Sequence, residues 1–133
     1  MNNSLEIKDM LELSKTIAVV GLSDKPDRDS YHVAAYLQKY GYKIIPVNPN
    51  AFEILGEKSY SELKAIKQPI DIVDIFRKPE AVGEIVDQAI QIKAKSVWMQ
   101  EGAGNEEAAR KAESAGLKVA MHKCILKEHR RII

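Results

Sequence analysis

The sequence predicts an α/β fold in which a parallel sheet is covered by helices, on three observations. Short runs of β-branched residues alternate with helical patterns along the chain, as in consecutive strand-helix-strand units. The first apolar run, 16–20, stops at Gly21, and a helical pattern begins a few residues later. The chain has 133 residues, of which 45% are hydrophobic and 29% charged, so we expect one globular domain over residues 1–133.

Five strands are predicted, each from a short apolar and β-branched run. They cover residues 16–20, 43–47, 71–76, 96–99 and 118–121. Such runs are apolar on both faces, which is typical of strands buried between two layers of helices. With right-handed crossovers, this favours a Rossmann-like doubly wound sheet of five mainly parallel strands. The predicted order is 3-2-1-4-5, counted along the chain.

Helical patterns fill most of the connections. Ser30 is the predicted N-cap of the helix after the first strand, and Gly41 ends that helix. The connection 50–68 is irregular, with a turn and a short helix. The other predicted helices are one over residues 4–13, one from residue 79, one over 105–115 and a short one after residue 124.

The predicted strand order places a candidate site at one edge of the sheet. In this order the first and fourth strands are neighbours whose connections leave to opposite faces. A crevice is therefore expected beyond their carboxyl ends, at 21–23 and 100–102. The loops 47–50 and 76–79 flank the same edge. The helix behind Gly21 points its free N–H groups and its dipole at this edge, which favours a phosphate-bearing ligand.

Missing residues narrow the choice of ligand. A redox dinucleotide site normally has three glycines in this turn and a carboxylate after the second strand, whereas the chain has Gly21 alone and no acid at 47–50. Val47 and Pro49 instead offer apolar walls for a base, and Asn48 offers an amide. The basic side chains near the predicted crevice are those of Lys25, Arg28, Arg77 and Lys78.

Composition argues against several classes of protein. Twenty basic and nineteen acidic residues leave a net charge of +1, which argues against general affinity for nucleic acid or an anionic membrane. No apolar stretch exceeds strand length and residues 1–4 are polar, so we expect a cytoplasmic protein without a signal peptide. The single cysteine, Cys124, excludes an internal disulfide.

Cys124 and His122 are two residues apart and would share a face of an extended segment. Free cysteines are often buried and no Asp or Asn partner is evident, so no catalytic residue is predicted. A milder hypothesis is that Cys124, if exposed near a ligand thiol, forms a mixed disulfide under oxidation. The scattered positions of His32, His122 and His129 predict no metal site.

Six spaced features carry a resemblance to a known family. They are IAVVGLS at 17–23, PVNP at 46–49, ILG at 54–56, VDIFRKPE at 73–80, VWMQEG at 97–102, and Cys124. Together, over about residues 12–128, they resemble the small stand-alone CoA-binding proteins. These are similar in turn to the N-terminal CoA-binding domain of the succinyl-CoA synthetase α subunit.

The resemblance implies a Rossmann-like fold that binds coenzyme A. It places the phosphates near 21–23 and Arg28, the adenine near 47–49, the loop 76–78 over the ligand, and 100–102 beside the pantetheine. The implied ligand-binding residues are Gly21, Leu22, Ser23, Arg28, Val47, Asn48, Pro49, Phe76, Arg77, Lys78, Gln100 and Gly102. Catalysis by the synthetase needs a phosphohistidine domain and a nucleotide-binding subunit, and this chain has neither. No enzyme activity is therefore expected of it alone.

We accordingly expect a module that holds CoA or an acyl-CoA as a carrier, sensor or regulatory subunit, with any protein partner unidentified. Two alternatives stay open. One is an oxidoreductase-like domain that binds a nicotinamide dinucleotide. The other is a protein-interaction domain that has lost nucleotide binding.

Overall fold

The computed structural model describes residues 4–133, and the polar start at residues 1–3 lies outside them. A parallel sheet contains β1 (Thr16–Val20), β2 (Lys43–Val47), β5 (Ile72–Ile75), β6 (Ser96–Met99) and β7 (Lys118–Met121). The strands β3 (Glu53–Ile54) and β4 (Glu57–Lys58) form a separate short hairpin. The helices are α1 (Ser4–Leu13), α2 (Asp29–Lys39), α3 (Pro79–Gln91), α4 (Glu106–Ser114) and α5 (Ile125–Ile132), with a 3-10 helix at Leu63–Ala65.

The α/β class with five parallel strands is confirmed, but the predicted strand order is wrong. The sheet runs β2-β1-β5-β6-β7, which is 2-1-3-4-5 when only its own strands are counted. Pro46 explains why β2 stands at the edge. Its carbonyl faces away from β1 and accepts from the N–H of Tyr60 at 3.0 Å, so the missing N–H of Pro46 also faces outward, where no sheet strand needs it.

Helices cover both faces of the sheet. The helices α1, α2 and α5 pack on one face, around Ile17, Leu37 and the fully buried Trp98. The helices α3 and α4 and the 3-10 helix cover the other face, around Val73 and Val97. No helix within residues 4–133 is long and apolar enough to span a bilayer.

The start of α2 differs from the prediction. Arg28, not Ser30, is the N-cap residue, and no side chain caps the helix. Ser30 lies inside the first turn, where its hydroxyl accepts the backbone N–H of Ser23 at 2.9 Å. This bond ties the loop after β1 to the helix that follows it, which is why serine suits the position although it is not the cap.

Candidate functional site

A row of residues stands just beyond the carboxyl ends of the sheet strands. In each case the backbone N–H donates to the carbonyl oxygen of the last residue of a neighbouring strand, over 2.9 to 3.3 Å. The four donors are Gly21, Phe76, Gln100 and His122. The four residues therefore lie side by side, separated by roughly 4.8 Å per strand. Three of them belong to the predicted site, and His122 extends the row.

The observed order moves the switch point of the sheet. The connection from β1 leads to β2 on one side, and the connection from β5 leads to β6 on the other. The crevice therefore opens between Gly21 and Phe76, not between Gly21 and Gln100 as the predicted order required. Gly21 has a φ of +87°, and a Cβ there would lie 2.3 Å from the carbonyl oxygen of Phe76. Only glycine allows the two strand ends to approach this closely.

A cleft of about 370 Å³ lies at this point and is called the switch-point cleft. It is lined by Gly21, Ser23, Phe76, the N-cap residue Arg28 and the first turn of α2. The first N–H groups of a helix have no partner within the helix, so the uncapped α2 offers donors to an anion. Asp27 and Asp29 also line the cleft. An anion would thus be held by directional N–H groups and the Arg28 guanidinium, and not by an overall positive potential.

The predicted base-binding residues line a neighbouring cleft of about 220 Å³, called the β2 cleft. Val47 and Pro49 form one wall and Arg77 another. The Arg77 side chain also reaches Gly21, since its Cδ lies 3.0 Å from the position of a Cβ on that glycine. Arg77 therefore stands between the β2 cleft and the switch-point cleft, where its exposed guanidinium is available to either.

Two residues of the predicted site, Leu22 and Asn48, make contacts that hold the loops together. The Asn48 amide nitrogen donates to the carbonyl of Leu22 at 2.9 Å, and its oxygen accepts the N–H of Asn50 at 2.8 Å. The Leu22 side chain is fully buried. These contacts join the loops after β1 and β2, so the amide of Asn48 shapes the site and keeps one N–H and one lone pair for another partner.

On the other side of Phe76, a cleft of about 380 Å³ lies between the sheet edge, α2 and α5 and is called the α5 cleft. Gln100 and Cys124 line it, together with Lys127 and Arg130 of α5. Lys127 forms an ion pair with Glu101 at 3.2 Å. Lys78 and Gly102 lie on a shallow surface beside the α5 cleft, which also includes Phe76 and Gln100.

The predicted site includes no residue of α5, although Leu126, Lys127 and Arg130 line the α5 cleft. A short helix is predicted after Cys124, but its contact with the sheet edge joins residues 25 positions apart. In that contact the backbone N–H of Ile125 donates to the side-chain oxygen of Gln100 at 3.0 Å. A local pattern holds no information about such a contact.

Cys124 and His122 do not form a reactive pair in this geometry. Cys124 is 9% exposed and is the N-cap residue of α5. His122 has a φ of +63°, and its ring packs against Gly104. No hydrogen bond joins the two side chains in the part of the chain that the structure describes. Within residues 4–133, no group of three or more His, Cys, Asp or Glu residues is arranged to hold a metal ion.

Asp74 is a buried acid directly beneath this row. It lies in β5 between Val19 and Trp98 of the adjacent strands, two residues before Phe76 on the same face. The residue is 0% exposed, and neither carboxyl oxygen has a hydrogen-bond partner among the described residues. Burial raises the pKa of this carboxyl well above its usual range, so the group is uncharged at a pH where an exposed aspartate is ionised.

A doubly wound α/β domain with adjoining clefts at its switch point is the class of protein that these features define. The model of the CoA binding domain family matches residues 15–130, and the chain belongs to that family. It is 47% identical over 124 residues to the uncharacterized protein YneT of Bacillus subtilis, covering 93% of this chain and 92% of YneT.

A solved structure and a larger enzyme also resemble the chain. A hypothetical protein from Pyrococcus horikoshii OT3 has 42% identity and a TM-score of 0.94, over 98% of this chain and 92% of that one. An ADP-forming acetate–CoA ligase of Archaeoglobus fulgidus is 30% identical over 101 residues, which is 74% of this chain. The matched part is only 15% of the ligase.

Proposed function

We propose that the protein binds coenzyme A along the carboxyl edge of its sheet and acts as a binding module, as a carrier, sensor or regulatory subunit, without catalysis of its own. The observation that carries the proposal is the set of three clefts at the carboxyl edge of the sheet that the segment of Phe76 and Arg77 borders. The switch-point cleft offers the helix donors and Arg28, shares Phe76 with the α5 cleft, and has Arg77 between it and the β2 cleft. An extended ligand with phosphates near its centre suits this arrangement.

Each part of the ligand has a matching surface. The diphosphate would accept hydrogen bonds from the first turn of α2 and from Arg28. The adenine would lie against Val47 and Pro49, with Arg77 beside it. The pantetheine arm would cross Phe76 towards Gln100. The family membership supports this arrangement.

Isothermal titration of the chain with CoA, NAD⁺ and ATP tests the proposal. CoA should give a saturable signal, and it should be the tightest of the three. Binding of NAD⁺ without binding of CoA would contradict the proposal and favour the dinucleotide alternative.

The variant Arg28→Ala tests the place of the phosphates. It should weaken CoA binding by about tenfold, because a charge-assisted hydrogen bond contributes about 1.5 kcal/mol or more. Its effect on pantetheine, which has no phosphate, should be negligible. Lys25→Ala is the matched control, since this exposed lysine lies in the same loop but does not line the switch-point cleft. Equal losses in the two variants would show that Arg28 has no particular role.

A further inference from the structure

The α5 cleft has a polar group of fixed orientation in a lining that holds both apolar and charged side chains. Gln100 is 5% exposed, and its side-chain oxygen accepts the backbone N–H of Ile125, the first residue of α5. An N–H group needs an acceptor, so the amide oxygen must face the helix and the amide NH₂ must face away from it. This NH₂ has no acceptor within residues 4–133. The NH₂ group of Gln100 is thus left as a donor where the residue lines the α5 cleft and the shallow surface beside it.

The α5 cleft is continuous with the switch-point cleft. Asp29 and Phe76 line both of them, and the Phe76 ring forms an apolar surface between the two. A flexible arm attached to a phosphate in the switch-point cleft would therefore cross Phe76 and arrive beside Gln100. The apolar part of the lining consists of Val33, Leu126 and Cys124, in addition to Phe76, and the polar part includes Lys127 and Arg130.

These features do not suit a bare thiol. Sulfur is a weak hydrogen-bond acceptor, and a single sulfur atom fills little of a cleft of about 380 Å³. A carbonyl oxygen with a small apolar group attached matches both the donor of Gln100 and the apolar part of the lining.

We infer that the α5 cleft holds the acyl end of an acyl-CoA, and that the Gln100 NH₂ group donates to the thioester carbonyl, so that the protein selects short acyl-CoA thioesters over free CoA. This inference rests on the proposed CoA site. It adds the class of ligand and the residue that recognises it.

Three ligands measured by titration against the wild-type chain test the inference: CoA, acetyl-CoA and S-ethyl-CoA. The last has nearly the shape of acetyl-CoA but lacks the carbonyl. Acetyl-CoA should bind about three- to tenfold more tightly than S-ethyl-CoA, as expected for one neutral hydrogen bond. Equal affinities of acetyl-CoA and S-ethyl-CoA would overturn the inference and leave CoA binding in place. No binding of any of the three would instead remove the proposed function.

The variant Gln100→Glu isolates the donor. It keeps an oxygen for the N–H of Ile125 and replaces the NH₂ group with a second oxygen. Acetyl-CoA should lose its advantage over S-ethyl-CoA, because only the thioester carbonyl uses the donor that the variant removes. An equal loss for CoA and acetyl-CoA would show that Gln100 serves the pantetheine amides, and the inference would fall. Cys124→Ser is the control, since it alters the same wall without removing the donor and should keep the preference.

Discussion

Gly21 offers the sharpest test of how the site is built. In the variant Gly21→Ala, a non-glycine residue would have to adopt a φ of +87°, which costs about 1–2 kcal/mol. The new Cβ would also lie 2.3 Å from the carbonyl oxygen of Phe76. That carbonyl cannot easily retreat, because the N–H of Phe76 is bonded to Val20 at 2.9 Å. Relief of such overpacking costs a further 1–3 kcal/mol or so. The expected total is about 2–5 kcal/mol.

Gly41→Ala separates the two contributions. Gly41 has a φ of +96°, but a Cβ there would have nothing within 4 Å. This variant should therefore lose only the cost of the backbone conformation, about 1–2 kcal/mol. Urea denaturation followed by the fluorescence of the buried Trp98 measures both variants, and the comparison requires unchanged m values.

Gly21→Ala and Gly41→Ala should also differ in CoA binding. Gly21→Ala displaces the segment of Phe76 and Arg77 that borders all three clefts, so CoA binding should be lost, and the larger Gly21→Val should behave alike. Gly41→Ala should bind CoA normally. If Gly21→Ala is no more destabilising than Gly41→Ala and still binds CoA, the close approach of β1 and β5 is not what the site depends on.

Two further predictions concern buried acidity and the cysteine. The folded state keeps the Asp74 proton that the unfolded chain releases above about pH 4, so stability should fall as the pH rises from there to the folded-state pKa, by about 1.4 kcal/mol per pH unit. Asp74→Asn should remove this slope, and urea denaturation of both proteins from pH 4.5 to 7 would contradict the argument if their curves stay parallel. Cys124 is only 9% exposed, but it lines the α5 cleft, where a ligand thiol could reach it, so diamide treatment with CoA should give a disulfide adduct visible by mass spectrometry. The adduct should be reversed by reductant and be absent from Cys124→Ser, and an unmodified wild-type protein would reject the hypothesis.

Local sequence patterns predict the strands of the sheet accurately. The predicted bounds of β1, β2, β6 and β7 agree with the structure, and the third predicted strand is one residue too long at each end. These elements follow from apolar runs and the turns that end them, which are properties of neighbouring residues.

The predicted strand order is wrong, although Pro46 in β2 indicates the observed order. Pro46 has no N–H to donate, so a strand that contains it is best placed at an edge. The predicted order put β2 inside the sheet, between two partners. The observed order leaves it beside β1 alone. Pro46 therefore favours the observed order, in which β2 is an edge strand.

The predicted loops lie at one edge of the sheet even though the predicted strand order is wrong. In a parallel sheet all carboxyl ends lie at one edge, so the loops after the strands meet there whatever the order. The order decides only which loops are neighbours. Phe76, and not Gln100, therefore adjoins Gly21, and Gln100 lies next to the switch point instead of forming it.

By itself, the sequence determined the α/β class, the strand ends and the family, because apolar runs and short motifs are properties of neighbouring residues. Only the tertiary structure decided that Phe76 lies against Gly21, that Asp74 is a buried acid without a partner, and that α5 closes the cleft over Gln100. Each of these depends on contacts between residues far apart in the chain. Such contacts are chosen by the packing of whole strands and helices, and no single segment encodes them.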